Sequence, residues 1–546
     1  MIADITITEK SFGPKTLMSN VKFSIDDGEK VGVIGRNGVG KSTLFGILAG
    51  IDKDYTGDVI YKRGVTVVAT EQEHHGLGEQ TVLQYVLAGL PEYTALSHIV
   101  ETYPLTMGDD MKKIDEYSDA LQRFDDKGFY QIEEQIEREL DNLQLPGVAH
   151  RPFASLSGGQ KRLVEVVKVM HSDAHLALID EPTNHMDYIA KQQFIDWMKS
   201  AREAMLVITH DRDVLAEVDR IVELKDGGSQ SFKGNYDDYL KQNAHSTGTA
   251  MNEFEMVEKR IVNLKQKVID YQRLKEKSRN PGTIQKFKRL EEQSRKELSQ
   301  LQAKEKPTFW IDKDSVENLN YKVASQYDKF KAKNIRMNLK NDESRSKHVL
   351  VSARGLSLGY TTPLFKGIDI DLREGEALEI RGRNGAGKST LIKALLDQDF
   401  NGTKFAGELS LDTHVRVGVY EQEVSPTYFD MSLHDAMERV YLDRNLSISE
   451  TKIRQLMSDY LFTEGDGQVP VKRLSGGQKA RLQVIQMLAS DPQLLILDEP
   501  TNHLDLPSIE ELETALGKYS GAILYVSHDD YFRRAIGGDV IEVMSA

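Results

Sequence analysis

Cysteine is absent from all 546 residues, which excludes disulfides, thiolate-held zinc and iron–sulfur clusters. A long uncharged apolar run is missing too, so no membrane span is expected. The start of the chain, Met1-Ile2-Ala3-Asp4-Ile5-Thr6-Ile7, alternates like a strand and lacks the basic start and apolar stretch of an export signal. Together these absences point to a soluble, cytoplasmic protein. Its 39% hydrophobic and 28% charged residues suffice for two large cores.

Positive charge is scarce overall, with a formal net charge of −15, but it is concentrated. Between Lys259 and Lys306 there are 15 Lys or Arg against 6 Asp or Glu, a local +9 that leaves −24 for the remainder. A basic spike on an acidic body draws a phosphate-rich partner to one place and repels it elsewhere.

What is present twice is more telling. Gly35-Arg36-Asn37-Gly38-Val39-Gly40-Lys41-Ser42 is followed by Leu156-Ser157-Gly158-Gly159-Gln160, by Ile179-Asp180-Glu181-Pro182-Thr183-Asn184-His185 and by Thr209-His210-Asp211. The same four landmarks return in the same order as Gly382 to Ser389, Leu474 to Gln478, Leu497 to His503 and Ser527-His528-Asp529, the last three at a constant offset of 318. Such self-similarity is an internal duplication. Residues 1–240 read as a first domain, with a helical arm inserted at about 85–150, and 345–546 read as a second, with no further domain expected after it. A basic two-helix linker, 241–306, and a connecting segment, 307–344, lie between them.

The chemistry follows from the residue types. Gly-x-x-x-x-Gly-Lys-Ser between a strand (Val31 to Ile34, or Ala377 to Ile380) and a helix meets the context of a phosphate-binding loop. Its glycines let backbone N–H groups close around phosphates, Lys41 or Lys388 reaches the β- and γ-phosphates, and Ser42 or Ser389 ligates magnesium. Apolar strands ending in Asp180-Glu181 and Asp498-Glu499 deliver two carboxylates at a sheet edge, the Asp for the magnesium shell and the Glu to activate the attacking water. His210 and His528 recur after a further apolar strand and are candidate γ-phosphate sensors. Phe12 and Tyr360, upstream of the loops, are candidates to stack on adenine.

In the linker, Phe254, Val257, Ile261, Leu264, Val268 and Tyr271 recur at steps of three and four, the seam of a helix packed against one partner. Ser278 to Thr283, with Pro281 and Gly282, breaks it, and Phe287, Leu290, Leu298 and Leu301 mark a weaker returning stripe. The expectation is an antiparallel hairpin of two helices, each about 25 residues and roughly 35 to 40 Å long. Lys277, Arg279, Lys286, Lys288 and Arg289 would stand at its tip. The arm, where Ile114, Tyr117, Leu121 and Phe124 share a face, has 13 acidic against 5 basic residues from Glu101 to Leu145, which suits a basic protein surface or plain solvent.

Leu-Ser-Gly-Gly-Gln followed by a strand ending Asp-Glu-Pro-Thr-Asn-His marks ATP-binding cassette proteins. The chain resembles their ABC-F branch over essentially its whole length: two cassettes, a charged two-helix linker and no membrane domain. The junction Gly227-Gly228 through Phe232 to Leu240 is similar to that family's as well. The resemblance implies an α/β fold, two P-loop ABC ATPase domains in tandem joined by an α-helical hairpin linker. It also implies a head-to-tail sandwich within a monomer. ATP on Lys41 is then completed by Ser475, Gly476, Gly477 and Gln478, and ATP on Lys388 by Ser157, Gly158, Gly159 and Gln160.

The remaining ATP contacts implied are Gly35, Asn37, Gly38, Gly40 and Thr43 in one loop and Gly382, Asn384, Gly385, Gly387 and Thr390 in the other. Gln72 and Gln422 match magnesium-sensing glutamines, and Asp187 and Asp505 a loop between the sites. Members hydrolyse ATP with Mg2+, bind the ribosome near the tRNA exit site and send the linker tip toward the peptidyl-transferase centre. The implied partners are rRNA and tRNA through the linker and a ribosomal protein through the arm, in a translation factor or an antibiotic-resistance factor. Met186 departs from the usual leucine, and Asp530 stands where Arg212 stands in the first copy. Neither removes a catalytic group. An importer's energising subunit is the alternative, but it would not need a basic hairpin between its halves; a chromosome-structuring ATPase would insert a coiled coil within a cassette.

Overall fold

Each cassette folds as two sheets because its strands carry two kinds of pattern. The computed structural model describes residues 1–546 except 14, 72–78, 144, 185, 226–227, 304–309, 311–326, 328–330, 332, 338–347, 397–400, 422–423, 545–546 and the side chains of Phe12 and Lys15. The first cassette starts with β1 (Ala3–Phe12), β2 (Lys15–Ile25), β3 (Lys30–Gly35), α1 (Lys41–Leu48), β4 (Thr56–Tyr61) and β5 (Val67–Ala69). A helical stretch follows: α2 (Val82–Gly89), α3 (Tyr93–Thr106), α4 (Met111–Asp126), α5 (Ile132–Asn142) and α6 (Gly158–Met170). Then come β6 (Leu176–Asp180), α7 (Tyr188–Ser200), β7 (Ala204–Ile208), α8 (Arg212–Leu215), β8 (Arg220–Lys225) and β9 (Gly228–Lys233).

Strands that alternate, such as β1 with Ile5 and Ile7 buried, form a three-stranded antiparallel sheet in the order β2-β1-β4. Strands without alternation, β6 (apolar up to its last residue, Asp180) and β7, are buried throughout and sit inside a six-stranded sheet ordered β5-β6-β7-β3-β8-β9. All its pairs are parallel except β8 with β9, as expected of strands covered on both faces. The parallel register places the phosphate loop after β3, the acidic pair after β6 and His210 after β7 along one carboxyl edge, where ligands bind in open α/β sheets.

Between the cassettes run α9 (Tyr236–Lys277) and α10 (Pro281–Gln302). The second cassette repeats the plan with β10 (Val349–Gly359), β11 (Pro363–Arg373), β12 (Ala377–Gly382), α11 (Lys388–Leu396), β13 (Thr403–Leu411) and β14 (Val417–Tyr420). It continues through α12 (Leu433–Leu442), α13 (Glu450–Asp459), α14 (Gly476–Leu488), β15 (Leu494–Asp498), α15 (Leu506–Leu516), β16 (Ala522–Val526), α16 (Asp530–Ile536) and β17 (Asp539–Val543). Its sheets are β11-β10-β13 and the all-parallel β14-β15-β16-β12-β17.

In the arm, Phe124 is buried and Ile114, Tyr117 and Leu121 are half-buried beside it. Tyr93, Phe124 and Phe129 meet edge to face at 5.2 and 5.3 Å through Phe129, the favoured geometry for aromatic rings.

The chain divides into two compact units, Met1–Tyr236 with Ile335–Ala546 and, separately, Asp237–Asn334. Within the smaller one, Leu264 and Val268 of the seam are buried, and Tyr271 stacks on Phe287 at 6.3 Å. Lys275–Glu291 and Arg260–Glu297 pairs, both 2.7 Å, tie the two helices. Asn280 caps α10 and Pro281 occupies its first turn, so the break falls where Pro and Gly place it. The equal 25-residue helices are a misreading: α9 has 42 residues and α10 has 22. The extra length precedes the seam, in a stretch of Ser, Thr and Gly with poor helix propensity. Burial of Tyr239, Asn243, Thr247 and Met251 and a 2.9 Å bond from Asn243 to the Trp310 carbonyl hold it helical.

Candidate nucleotide sites

Both phosphate loops are shaped by glycines in a left-handed conformation that other residues adopt only with strain. Gly40 and Gly387 have φ of +103° and +101°, and a Cβ would come within 2.7 Å of Met18 at the first and 2.9 Å of Phe365 at the second. The loops wrap the lysine that ends them. Lys41 Nζ donates to the carbonyls of Gly35 at 2.7 Å and Arg36 at 3.2 Å, and Lys388 Nζ to those of Gly382 at 2.7 Å and Arg383 at 3.0 Å. Burial lowers the pKa of both ammonium groups, so an anion in the loop would restore what desolvation removes. Thr43 and Thr390 follow in the first turn of α1 and α11.

Across the loop, Ser389 Oγ donates to Asp498 Oδ2 at 3.0 Å and Ser42 Oγ to Asp180 Oδ2 at 3.4 Å. A hydroxyl and a carboxylate converging in this way form a hard-oxygen pair suited to Mg2+, which prefers few protein ligands beside phosphate oxygens. Gln72 and Gln422, the other implied ligands, lie outside the described residues, as does the side chain of Phe12.

Glu181 and Glu499 follow their strands with φ of +47° and +50°, a left-handed conformation that costs a non-glycine residue about 1 kcal/mol or more and marks sites where geometry is imposed. Burial raises Glu181 to about 8 and Glu499 to about 7, a range in which a carboxylate can act as a base near neutral pH. Asp498 is lifted to about 6, first by burial and then by Glu499. His528 Nε2 lies 3.3 Å from Glu499 and His210 Nε2 3.8 Å from Glu181. Burial, reinforced by the nearby lysine, lowers both histidines, His528 to about 3.

The halves complete each other. Asn37 N–H donates to Asp505 Oδ2 at 2.9 Å and Asn37 Nδ2 to the His503 carbonyl at 2.9 Å, while Asn384 N–H donates to Asp187 Oδ2 at 3.0 Å. Gly477 faces Asn37 so closely that a Cβ would lie 2.1 Å from Nδ2. Opposite it, a cavity of about 730 Å³ is lined by Ser157, Gly158, Gly159 and Gln160 from one cassette and by Tyr360, Asn384, Gly385, Gly387, Lys388, Ser389, Thr390, Asp498, Glu499 and His528 from the other. Each signature serine caps its helix in a capping box with Gln160 or Gln478, so those amide oxygens already accept a backbone N–H. Tyr360 is half exposed, 52%, at the mouth.

Three contributors lie outside the candidate site residues. Arg162 donates to the Asp180 carbonyl at 3.1 Å, Lys191 to the His528 carbonyl at 2.7 Å, and Arg212 to Asp529 at 3.1 Å. The positions 318 further on hold Ala480, Ile509 and Asp530; none is repeated, and only Arg212 was marked in the sequence, by its mismatch with Asp530.

Away from the nucleotide sites, Lys277, Arg279, Lys286, Lys288 and Arg289 are all exposed, gathered around the turn between α9 and α10. Among the described residues none of the five forms an ion pair, unlike Lys275 and Arg260. No helix of the described residues is long and apolar enough to cross a membrane.

A family model described as ABC transporter matches residues 18–184 and 365–502. The putative ATP-binding protein YdiF of Bacillus subtilis (strain 168) is 30% identical over 100% of this chain and 80% of its own. The ribosome protection protein VmlR of the same organism is 27% identical over 97% of this chain and 84% of its own. Among solved structures, the archaeal ribosome recycling factor aABCE1, in complex with the ribosomal stalk protein aP1, is similar with a TM-score of 0.58 at 16% identity, covering 98% of this chain and 87% of that one. That last likeness is one of fold.

Proposed function

The chain belongs to the ATP-binding cassette family, in its ABC-F branch, and is an ATPase; from that premise we propose that it works on the ribosome, spending ATP at two sandwich sites while its hairpin contacts RNA. Lys41 and Lys388 hold the β- and γ-phosphates, with the loop glycines supplying backbone N–H groups. Ser42 with Asp180, and Ser389 with Asp498, hold Mg2+, which supplies charge neutralisation on the phosphates. Glu181 and Glu499 accept a proton from the attacking water, and His210 and His528 sense the γ-phosphate beside them. The signature of one cassette closes on the nucleotide of the other.

The observation that carries the ribosomal reading is the cluster of five exposed cations at one turn of a separate unit in an acidic chain. An RNA backbone satisfies such a cluster, and an importer subunit gives it no task. The relative printed as a ribosome protection protein supports the same direction, toward modulating translation or protecting the peptidyl-transferase region from antibiotics. The acidic arm suits a basic ribosomal protein, and the setting is cytoplasmic. The test is the double variant Glu181→Gln/Glu499→Gln, whose amides keep the shape but cannot take the proton. It should bind ATP, co-sediment with ribosomes in its presence and inhibit translation. Unimpaired turnover sinks the base assignment, and ATP-bound protein that ignores ribosomes sinks the ribosomal one.

A further inference from the structure

The peptide that carries His528 is held from both ends. Its N–H donates to Glu499 Oε2 at 3.1 Å within the second cassette, and the His528 carbonyl accepts the 2.7 Å bond from Lys191 Nζ of the first. Lys191 stands on α7, one turn beyond Asp187, and is buried. Burial works against its charge, but Asp211 at 3.2 Å and the adjacent Asp213 outweigh it and keep the ammonium protonated. Its donors are thus shared between two carboxylates of its own cassette and one carbonyl of the other.

This arrangement has no mirror image. The positions 318 beyond Lys191, Arg212 and Asp213 hold Ile509, Asp530 and Tyr531, and Ile509 is packed in the apolar core. Arg212 likewise crosses to the second cassette, reaching Glu513 at 3.3 Å and Asp529 at 3.1 Å with the Tyr531 ring 4.8 Å away. Both of these crossing cations come from the first cassette. The reciprocal bond, from position 509 to the carbonyl of His210, has no donor to make it.

We propose that Lys191 is a positioning residue for the Lys388 site: it fixes the His528 peptide and, through that peptide's N–H, the Glu499 carboxylate. Turnover at the Lys388 site then depends on a first-cassette side chain other than the signature, and the Lys41 site has no matching dependence. The two sites differ by construction. The inference rests on Glu499 and His528 being the hydrolytic groups of the Lys388 site.

Removing Lys191 alone would strand two carboxylates, so the test removes one charge of each sign. Lys191→Ile with Asp213→Tyr gives the first cassette the pair that the second already carries as Ile509 and Tyr531. It is placed in two parents, Glu181→Gln, where only the Lys388 site turns over, and Glu499→Gln, where only the Lys41 site does. In the first parent kcat should fall about tenfold with KM for ATP within about twofold, the pattern of lost positioning without lost binding. In the second parent kcat should stay within about twofold, which also shows that the variant folds. Lys191→Arg, which keeps a cation in reach, should retain most Lys388-site turnover. Equal losses in both parents would make Lys191 a general brace, and no loss in the first would make it idle; either overturns the proposal. If Glu499→Gln fails to silence the Lys388 site before Lys191 is touched, the reading of Glu499 is at fault and the proposal falls with it.

Discussion

Asn37 donates its backbone N–H to the carboxylate of Asp505 over 2.9 Å, although 468 positions separate them in the chain. Asn384 and Asp187 repeat the contact at 3.0 Å. Each phosphate loop therefore rests on the aspartate that caps the helix beyond the other cassette's acidic strand, since Asp505 and Asp187 cap α15 and α7.

Crossed seating makes a crossed prediction. Ser475→Arg should lower ATP occupancy and turnover at the Lys41 site by at least about tenfold, because Gly477 already leaves no room beside Asn37. Ser157→Arg should do the same at the Lys388 site, whose cavity Ser157 lines. Nucleotide occupancy measured site by site checks both. Loss at the phosphate loop of the same cassette contradicts the arrangement.

The buried bases should cost stability in the nucleotide-free protein. Their folded pKa values, about 8 for Glu181 and about 7 for Glu499, lie above the unfolded value of 4.5. A raised carboxyl contributes stability that is complete below the unfolded pKa and is lost as pH rises through the folded one. Between pH 5 and 8 the wild type should therefore lose stability relative to Glu181→Gln/Glu499→Gln, by at least about 1 kcal/mol. Denaturant unfolding of both proteins at the two pH values measures it. Parallel curves would mean that neither group is held protonated by burial.

The placement of both candidate sites was legible in the sequence wherever their residues form a contiguous motif. The phosphate loops, Ser157 to Gln160, and Asp180-Glu181 are local strings whose glycines and carboxylates have one geometric reading. Lys191 was not, because it acts through a partner more than 300 positions away and occurs in one copy only; Arg212 stood out by its mismatch with Asp530, but its reach to Asp529 did not. The start of α9 was missed for a different reason: from Tyr236 to Met251 the buried residues do recur at steps of three and four, but Asn243 and Thr247 among them are polar, so no apolar period marks the stripe in the sequence. The seam from Phe254 onward is periodic, and there the sequence sufficed.

The hairpin tip separates an RNA contact from an inert charged turn. Arg279, Lys286, Lys288 and Arg289 are exposed and lie within or beside the first turns of α10. Each can neutralise one phosphate, at a slope of about −0.7 in log affinity per contact for single strands. Changing all four to Glu should weaken ribosome binding and flatten its salt dependence, because the energy removed is electrostatic. Ribosome-stimulated ATP turnover should fall in step. Ribosome-free turnover should change by less than about twofold, since these residues belong to the separate unit Asp237–Asn334. Binding titrated at several salt concentrations, alongside both ATPase assays, tests it. If affinity holds while ribosome-free hydrolysis collapses, the hairpin braces the cassettes and the RNA-contact reading is wrong.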